Sequence, residues 1–137
     1  MIDFSEFELK ILFKYSECND KFMQVEVNDQ LLVPVENYAT YEKKFKLPTQ
    51  ISIKTYGKTK YDTKVDSSGN IYQDLAVIIE SISLDSFKLN KVYLNQKINI
   101  ITDTGNTITT NYIGFNGTVT LDFNEDTVFA QVLTANS

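Results

Sequence analysis

Phe7-Glu8-Leu9-Lys10-Ile11-Leu12-Phe13-Lys14-Tyr15 decides the fold class. Phe7, Leu9, Ile11, Phe13 and Tyr15 recur at every second position, with Glu8, Lys10 and Lys14 between them and Leu12 as the exception. A strand sends successive side chains to opposite faces, so this period of two describes a half-buried β-strand. The same alternation continues along the chain. After the polar turn Ser16-Glu17-Cys18-Asn19-Asp20, Met23, Val25 and Val27 alternate with Gln24 and Glu26. Asn28-Asp29 then marks a hairpin into Leu31-Leu32-Val33, because these residues tolerate the positive φ of tight hairpin turns. Tyr41, Lys43, Phe45 and Leu47 form a further strand ended by Pro48, which has no N–H for a central ladder. Ile51, Ile53 and Thr55 open the next.

Residues 57–74 are a polar excursion around the turn Asp66-Ser67-Ser68-Gly69-Asn70. Strand 75–84 follows. It is apolar on both faces, Leu75, Val77 and Ile79 against Ala76, Ile78, Ile82 and Leu84, which predicts a central strand covered on two sides. Phe87 with Leu89, then Ile98 to Ile100, precede a turn at Asp103-Thr104-Gly105-Asn106. Ile108 and Tyr112 belong to one strand. Val119, Leu121 and Phe123 follow the turn Gly114-Phe115-Asn116-Gly117, and Val128 to Leu133 form a last strand. No window carries a helical stripe, and turns recur about every 8–12 residues. The expected fold is all-β, a jelly-roll-like antiparallel β-sandwich. It is expected to be one domain over residues 1–137, with 90–137 as a candidate added layer of strands.

Composition narrows the chemistry. The 137 residues contain no histidine, which removes every arrangement built on imidazole. Cys18 is the one cysteine, too few for an internal disulfide or a thiolate zinc site, and reads as a small loop or core residue. All 13 basic residues are lysine, so the planar guanidinium fork that grips phosphate and guanine is missing. The net charge of −5 repels a phosphate backbone, and no nucleic-acid partner is expected. No apolar run approaches the roughly 20 residues of a membrane span. Met1-Ile2-Asp3-Phe4-Ser5-Glu6 has neither a basic flank nor an apolar stretch, so synthesis without a secretory signal is expected.

Asp62, Asp66, Asn70 and Asp74 stand four residues apart and offer oxygen ligands for calcium. Their spacing differs from the EF-hand loop, and turn chemistry already accounts for each of them. No metal or cofactor is therefore expected, and Asp62→Ala and Asp74→Ala are each expected to change stability by about 1 kcal/mol or less. Tyr38, Tyr41, Tyr56, Tyr61 and Tyr72 are candidates for stacking on sugar rings, although a half-buried tyrosine suits a strand or an interface equally well. Paired carboxylates are easily found among 18 acids and point to no glycosidase. No catalytic residue is expected, and the chain reads as a non-enzyme.

Residues 23–89 resemble the β-sandwich of calcium-dependent, xylan-binding carbohydrate-binding modules. The likeness lies in Val25-Glu26-Val27-Asn28-Asp29-Gln30-Leu31, in Phe45-Lys46-Leu47-Pro48, and in Ile51-Ser52-Ile53 with the return strand Asp74 to Ile82. Asp62 to Ile71, together with Tyr112-Ile113-Gly114-Phe115-Asn116-Gly117-Thr118, is similar to a group of small virion proteins of tailed phages. That group often carries a tryptophan near its C-terminus, and this chain has none. The resemblance implies a virion structural protein, a capsid decoration or a tail or fibre module. Its implied partners are the major capsid or tail proteins of the same particle, in many copies. The alternative it implies is a carbohydrate-binding module that recognises host-surface glycan.

Overall fold

The computed structural model describes residues 6–46, 49–85, 87–88, 100–101, 107–108 and 112–123. Its strands are β1 (Glu6–Ser16), β2 (Gln24–Val27), β3 (Gln30–Leu31), β4 (Tyr38–Lys46), β5 (Thr49–Tyr56), β6 (Thr63–Val65) and β7 (Ile71–Asp74). They continue as β8 (Ala76–Leu84), β9 (Phe87–Lys88), β10 (Ile100–Ile101), β11 (Thr107–Ile108), β12 (Tyr112–Ile113) and β13 (Gly117–Phe123). Every pairing is antiparallel. One sheet runs β12-β8-β1-β4, with β9 on β8, and a second runs β11-β10-β13-β5-β2-β3. The β6–β7 hairpin is a small sheet of its own. The expected turns at Pro48 and at 103–106, the residues Leu89 and Ile98, and the strand Val128 to Leu133 lie outside the described residues. Described strands beyond residue 90 join the two large sheets, β12 beside β8 and β13 between β10 and β5.

Alternation in the sequence becomes two inner faces. Phe7, Leu9, Ile11, Phe13 and Tyr15 are buried from β1 while Glu8, Lys10 and Lys14 are exposed. They pack in one core with Val25, Val27, Ile51, Ile53, Val119, Leu121 and Phe123 of the opposite sheet. Phe7 and Phe123 meet across it with ring centroids 6.3 Å apart. The fold is an antiparallel β-sandwich, as expected.

Charges on the outer face hold the register of β1 against β4. Glu6 faces Lys46, Glu8 faces Lys44 and Lys10 faces Glu42, the last pair 3.6 Å apart. An exposed pair of this kind adds at most about 1 kcal/mol. Its larger effect is on alternatives. A slip of one residue would turn the apolar set to water. A slip of two would set Lys10 against Lys44, or Glu8 against Glu42, and like charges directly across a ladder destabilise it.

The two-sided apolar pattern of strand 75–84 has a different cause from the expected one. Leu12 pairs with Ser81 but Phe13 pairs with Ile79, so Glu80 is an extra residue and β8 carries a bulge. The inward positions change parity there, from Val77 and Ile79 to Ile82 and Leu84. Outer-face Ile78, Glu80, Ser81 and Ser83 are half-buried. β8 does lie inside its sheet, between β12 and β1.

Asn28 and Asp29 adopt φ of 46° and 68° and close the expected β2–β3 hairpin. Asn19 and Asp20 do the same, at 56° and 59°, between the bridged residues Cys18 and Lys21. Cys18 is buried with Met23 and Leu75 in a small second core beneath the β6–β7 hairpin.

Tyr15 meets Phe22 edge-on at 5.6 Å, and its buried hydroxyl has no hydrogen-bond partner among the described residues. Burial pushes this phenol up to about 12. A buried donor left unpaired costs free energy, so Tyr15→Phe is expected to be neutral or stabilising by up to about 1 kcal/mol. Urea unfolding measures this, and a clear loss of stability would show that the hydroxyl is bonded.

Candidate functional site

The acidic excursion folds into a hairpin with a polar cluster at its base. At the tip, Asp66 Oδ1 accepts the N–H groups of Ser68 (2.9 Å) and Asn70 (3.0 Å), while Gly69 sits at φ 84°. Asp66 and Gly69 thus act in a turn, as turn chemistry predicts. At the base, the backbone N–H of Leu75 donates to the carbonyl of Asp62 (2.8 Å) and closes the loop.

Asp62 is only 1% exposed. Its carboxylate takes the Lys21 ammonium at 2.8 Å, the Asn19 amide at 2.9 Å, and the backbone N–H and hydroxyl of Thr59 at 2.7 and 3.0 Å. The Lys21 bond is the largest influence and, with those from Thr59 and Asn19, outweighs burial, holding the carboxyl well below the usual range. Asp74 takes Lys58 and the Thr63 hydroxyl on Oδ1, both at 2.6 Å, and the Tyr112 hydroxyl on Oδ2. Burial pushes its carboxyl up, but the bonds from Lys58, Thr63 and Tyr112 more than offset this and the net shift is downward. Burial first, then the Asp74 charge and bond, raise the Tyr112 phenol above its ordinary value, so it remains a donor.

Lys58 is itself held. Asn116 clasps its backbone through two bonds, accepting the N–H at 3.0 Å and donating to the carbonyl at 2.8 Å. The ammonium donates to the Gly114 carbonyl (2.8 Å) as well as to Asp74. A side chain at residue 114 would place its Cβ 2.9 Å from the Tyr112 ring, closer than real Cβ contacts run, and a tight 3.3 Å from Asp74. Gly114 therefore permits the cluster. The turn Gly114 to Gly117 and the acidic excursion, far apart in sequence, form one structure.

The four calcium candidates do not form a cage. Asp62 and Asp74 each have a lysine partner, and Asp66 and Asn70 belong to the tip turn. Among the described residues no three acidic or cysteine side chains come together. Calcium would have to displace two ammonium groups, so the residues present do not fit it. The reading of Asp62 and Asp74 as surface turn residues is corrected: both carboxylates are enclosed and carry several charge-assisted hydrogen bonds.

Of the tyrosines proposed for stacking, Tyr41 belongs to the core, and Tyr56 is half-buried with Lys54 over its ring at 5.6 Å. Tyr38 is exposed on β4. Tyr61 and Tyr72 are 71% and 66% exposed, on and beside the hairpin, together with Val65 and Ile71. Lys60 covers one face of Tyr61 at 5.1 Å. Tyr72 shares a face of β7 with Asp74 by alternation, and Tyr112, 40% exposed, joins them through Asp74. Sequence reasoning did not single out Tyr112, Lys21 or Lys58 for the site, and no local signal marks them.

No protein-family model matches the chain, and no curated protein matches its sequence. Among solved structures it is similar to a carbohydrate-binding module, the selenomethionine form of vCBM60. That structure was reported with a circular permutation linking two families of calcium-dependent carbohydrate-binding modules. The TM-score is 0.43 at 10% identity, over 85% of this chain and 90% of that one.

Proposed function

We propose that the chain is a non-enzymatic binding module that recognises glycan through the tyrosine-bearing face of the β6–β7 hairpin. The observation that carries this reading is the grouping of exposed Tyr72 and Tyr112 around Asp74. An aromatic ring offers an apolar face to the C–H face of a pyranose, and a fixed carboxylate beside it accepts sugar hydroxyls. Because Asp62 and Asp74 already hold ammonium groups, the binding is expected to need no calcium. Glycan-array screening followed by calorimetry tests it. Tyr72→Ala is expected to weaken the selected glycan about tenfold or more, equivalent to about 1.4 kcal/mol, with wild-type binding unchanged by chelator. An array silent in every condition removes the reading, and binding abolished by chelator removes its metal-free form.

A virion structural role, as a capsid decoration or tail or fibre module among major capsid or tail proteins, is the second reading. What favours it is an exposed aliphatic series in β3 and the connection after it, Leu31, Val33 and Val35, the last two about three-quarters exposed. Large contiguous apolar patches mark interaction surfaces. Mass spectrometry of purified particles decides it, and a protein that stays in the lysate sinks it.

A further inference from the structure

Two strands of three and four residues make a poor free-standing unit, since an isolated hairpin is at best marginally stable in water. β6 and β7 add no ladder to either large sheet among the described residues. Val65, Ile71 and Tyr72 are each more than half exposed, so apart from Leu75, buried with Cys18 and Met23 at its foot, little apolar burial holds the arm down. Its docking is concentrated at the base. There Asp62 and Asp74 flank the arm, and the donors reach them from elsewhere in the chain. Lys21 and Asn19 come from the connection between β1 and β2, and Lys58 follows β5. Tyr112 comes from β12 of the first sheet. Ser16, at the end of β1, adds a 2.7 Å bond to the Asp74 carbonyl. Asp62 is therefore held from the β1–β2 connection, and Asp74 from β12 and the segment after β5.

From this we infer that Lys58 and Lys21 are positioning residues, an ionic clamp that fixes the β6–β7 arm on the end of the sandwich, and that the arm opens as a unit when the clamp is broken. The Lys58 half is the stronger. Its side chain and that of Asp74 are 13% and 16% exposed, so water competes weakly for their 2.6 Å bond. The pre-folding of Lys58 by Asn116 lowers the entropy lost in making it. The Lys21 side chain is 40% exposed, and its ammonium also serves the Gly57 carbonyl at 3.0 Å. Its contribution is correspondingly smaller.

The clamp stands apart from the glycan reading; only its consequence for affinity rests on that reading, because a fixed Tyr72 loses less entropy on binding than a mobile one. Native-state hydrogen exchange on Lys58→Met tests it, with Asp74→Asn as a second variant that removes the charge and keeps a single carbonyl acceptor. Amides of Lys64, Gln73 and Leu75 are expected to exchange at least about tenfold faster, a factor that needs about 1.4 kcal/mol of local opening. Amides of Ile11 and Ile53 in the two sheets are expected to stay unchanged. The double variant should exchange no faster than the worse single one, since both remove the same contact. Equal acceleration in arm and sheets would make Lys58 a contributor to global stability and overturn the proposal, and so would no acceleration anywhere. A freed arm in a protein that binds no glycan leaves the clamp standing and removes only the sugar.

Discussion

Phe13→Ala is expected to leave the protein close to the edge of folding. Phe13 is fully buried at the centre of β1, opposite Ala39 on β4 and Ile79 on β8, beside the point where the β8 bulge shifts the register. Deleting a buried phenyl ring loses its transfer free energy and leaves a cavity, together about 3–5 kcal/mol. A domain of this kind has a total stability of about 5–15 kcal/mol. The small Ala39 opposite cannot fill the space, and the ladders on both sides of β1 resist collapse. Urea unfolding should show a much lower midpoint at an unchanged slope, because the surface exposed on unfolding hardly changes. A loss below about 1 kcal/mol would mean that β1 does not run through the core.

The second large effect is acid sensitivity. Asp62 and Asp74 both titrate lower in the folded chain than in the unfolded one, where an aspartate has a pKa of about 3.9. The folded form therefore holds fewer protons at low pH. Stability from these two groups is complete above the unfolded value and is lost as pH falls through the lowered folded values. Tm is expected to be flat from about pH 7 to about pH 5 and to fall by several degrees below about pH 4. In the double variant Asp62→Asn, Asp74→Asn, neither side chain can be protonated and neither attracts an ammonium as strongly. Wild type is expected to be the more stable at neutral pH, and the difference to shrink on acidification. A difference independent of pH would show that the lysine pairs contribute nothing to folding.

Where sequence and structure agree, the information was local. The alternation of residues 7–15 placed Phe7 to Tyr15 on the inner face, since the period of a strand is a property of the backbone alone. Asn28-Asp29 gave its hairpin because tolerance of positive φ is a property of the residue. The second face of strand 75–84 was misread because a bulge and burial on both sides leave the same mark, an apolar run that breaks parity. Only the partner strand tells them apart: Leu12 skips Glu80 on the way to Phe13.

The carboxylates show the same division more sharply. Four oxygen-bearing residues at even spacing looked like one potential site, because spacing is all that a sequence displays. Beside the nearby Thr59 and Thr63, decisive partners lie far away along the chain: Asn19 is 43 residues from Asp62, Tyr112 is 38 from Asp74, and Asn116 is 58 from the Lys58 it holds. Nothing near Lys21 or Lys58 distinguishes them from the other lysines. The sequence alone determined an antiparallel sandwich without imidazole, guanidinium or disulfide chemistry, because composition and period two depend on no distant contact. The tertiary structure decided that Asp62 and Asp74 are lysine-bound anchors of a tyrosine-bearing arm, because an ion pair depends on which groups the packed sheets bring within bonding distance.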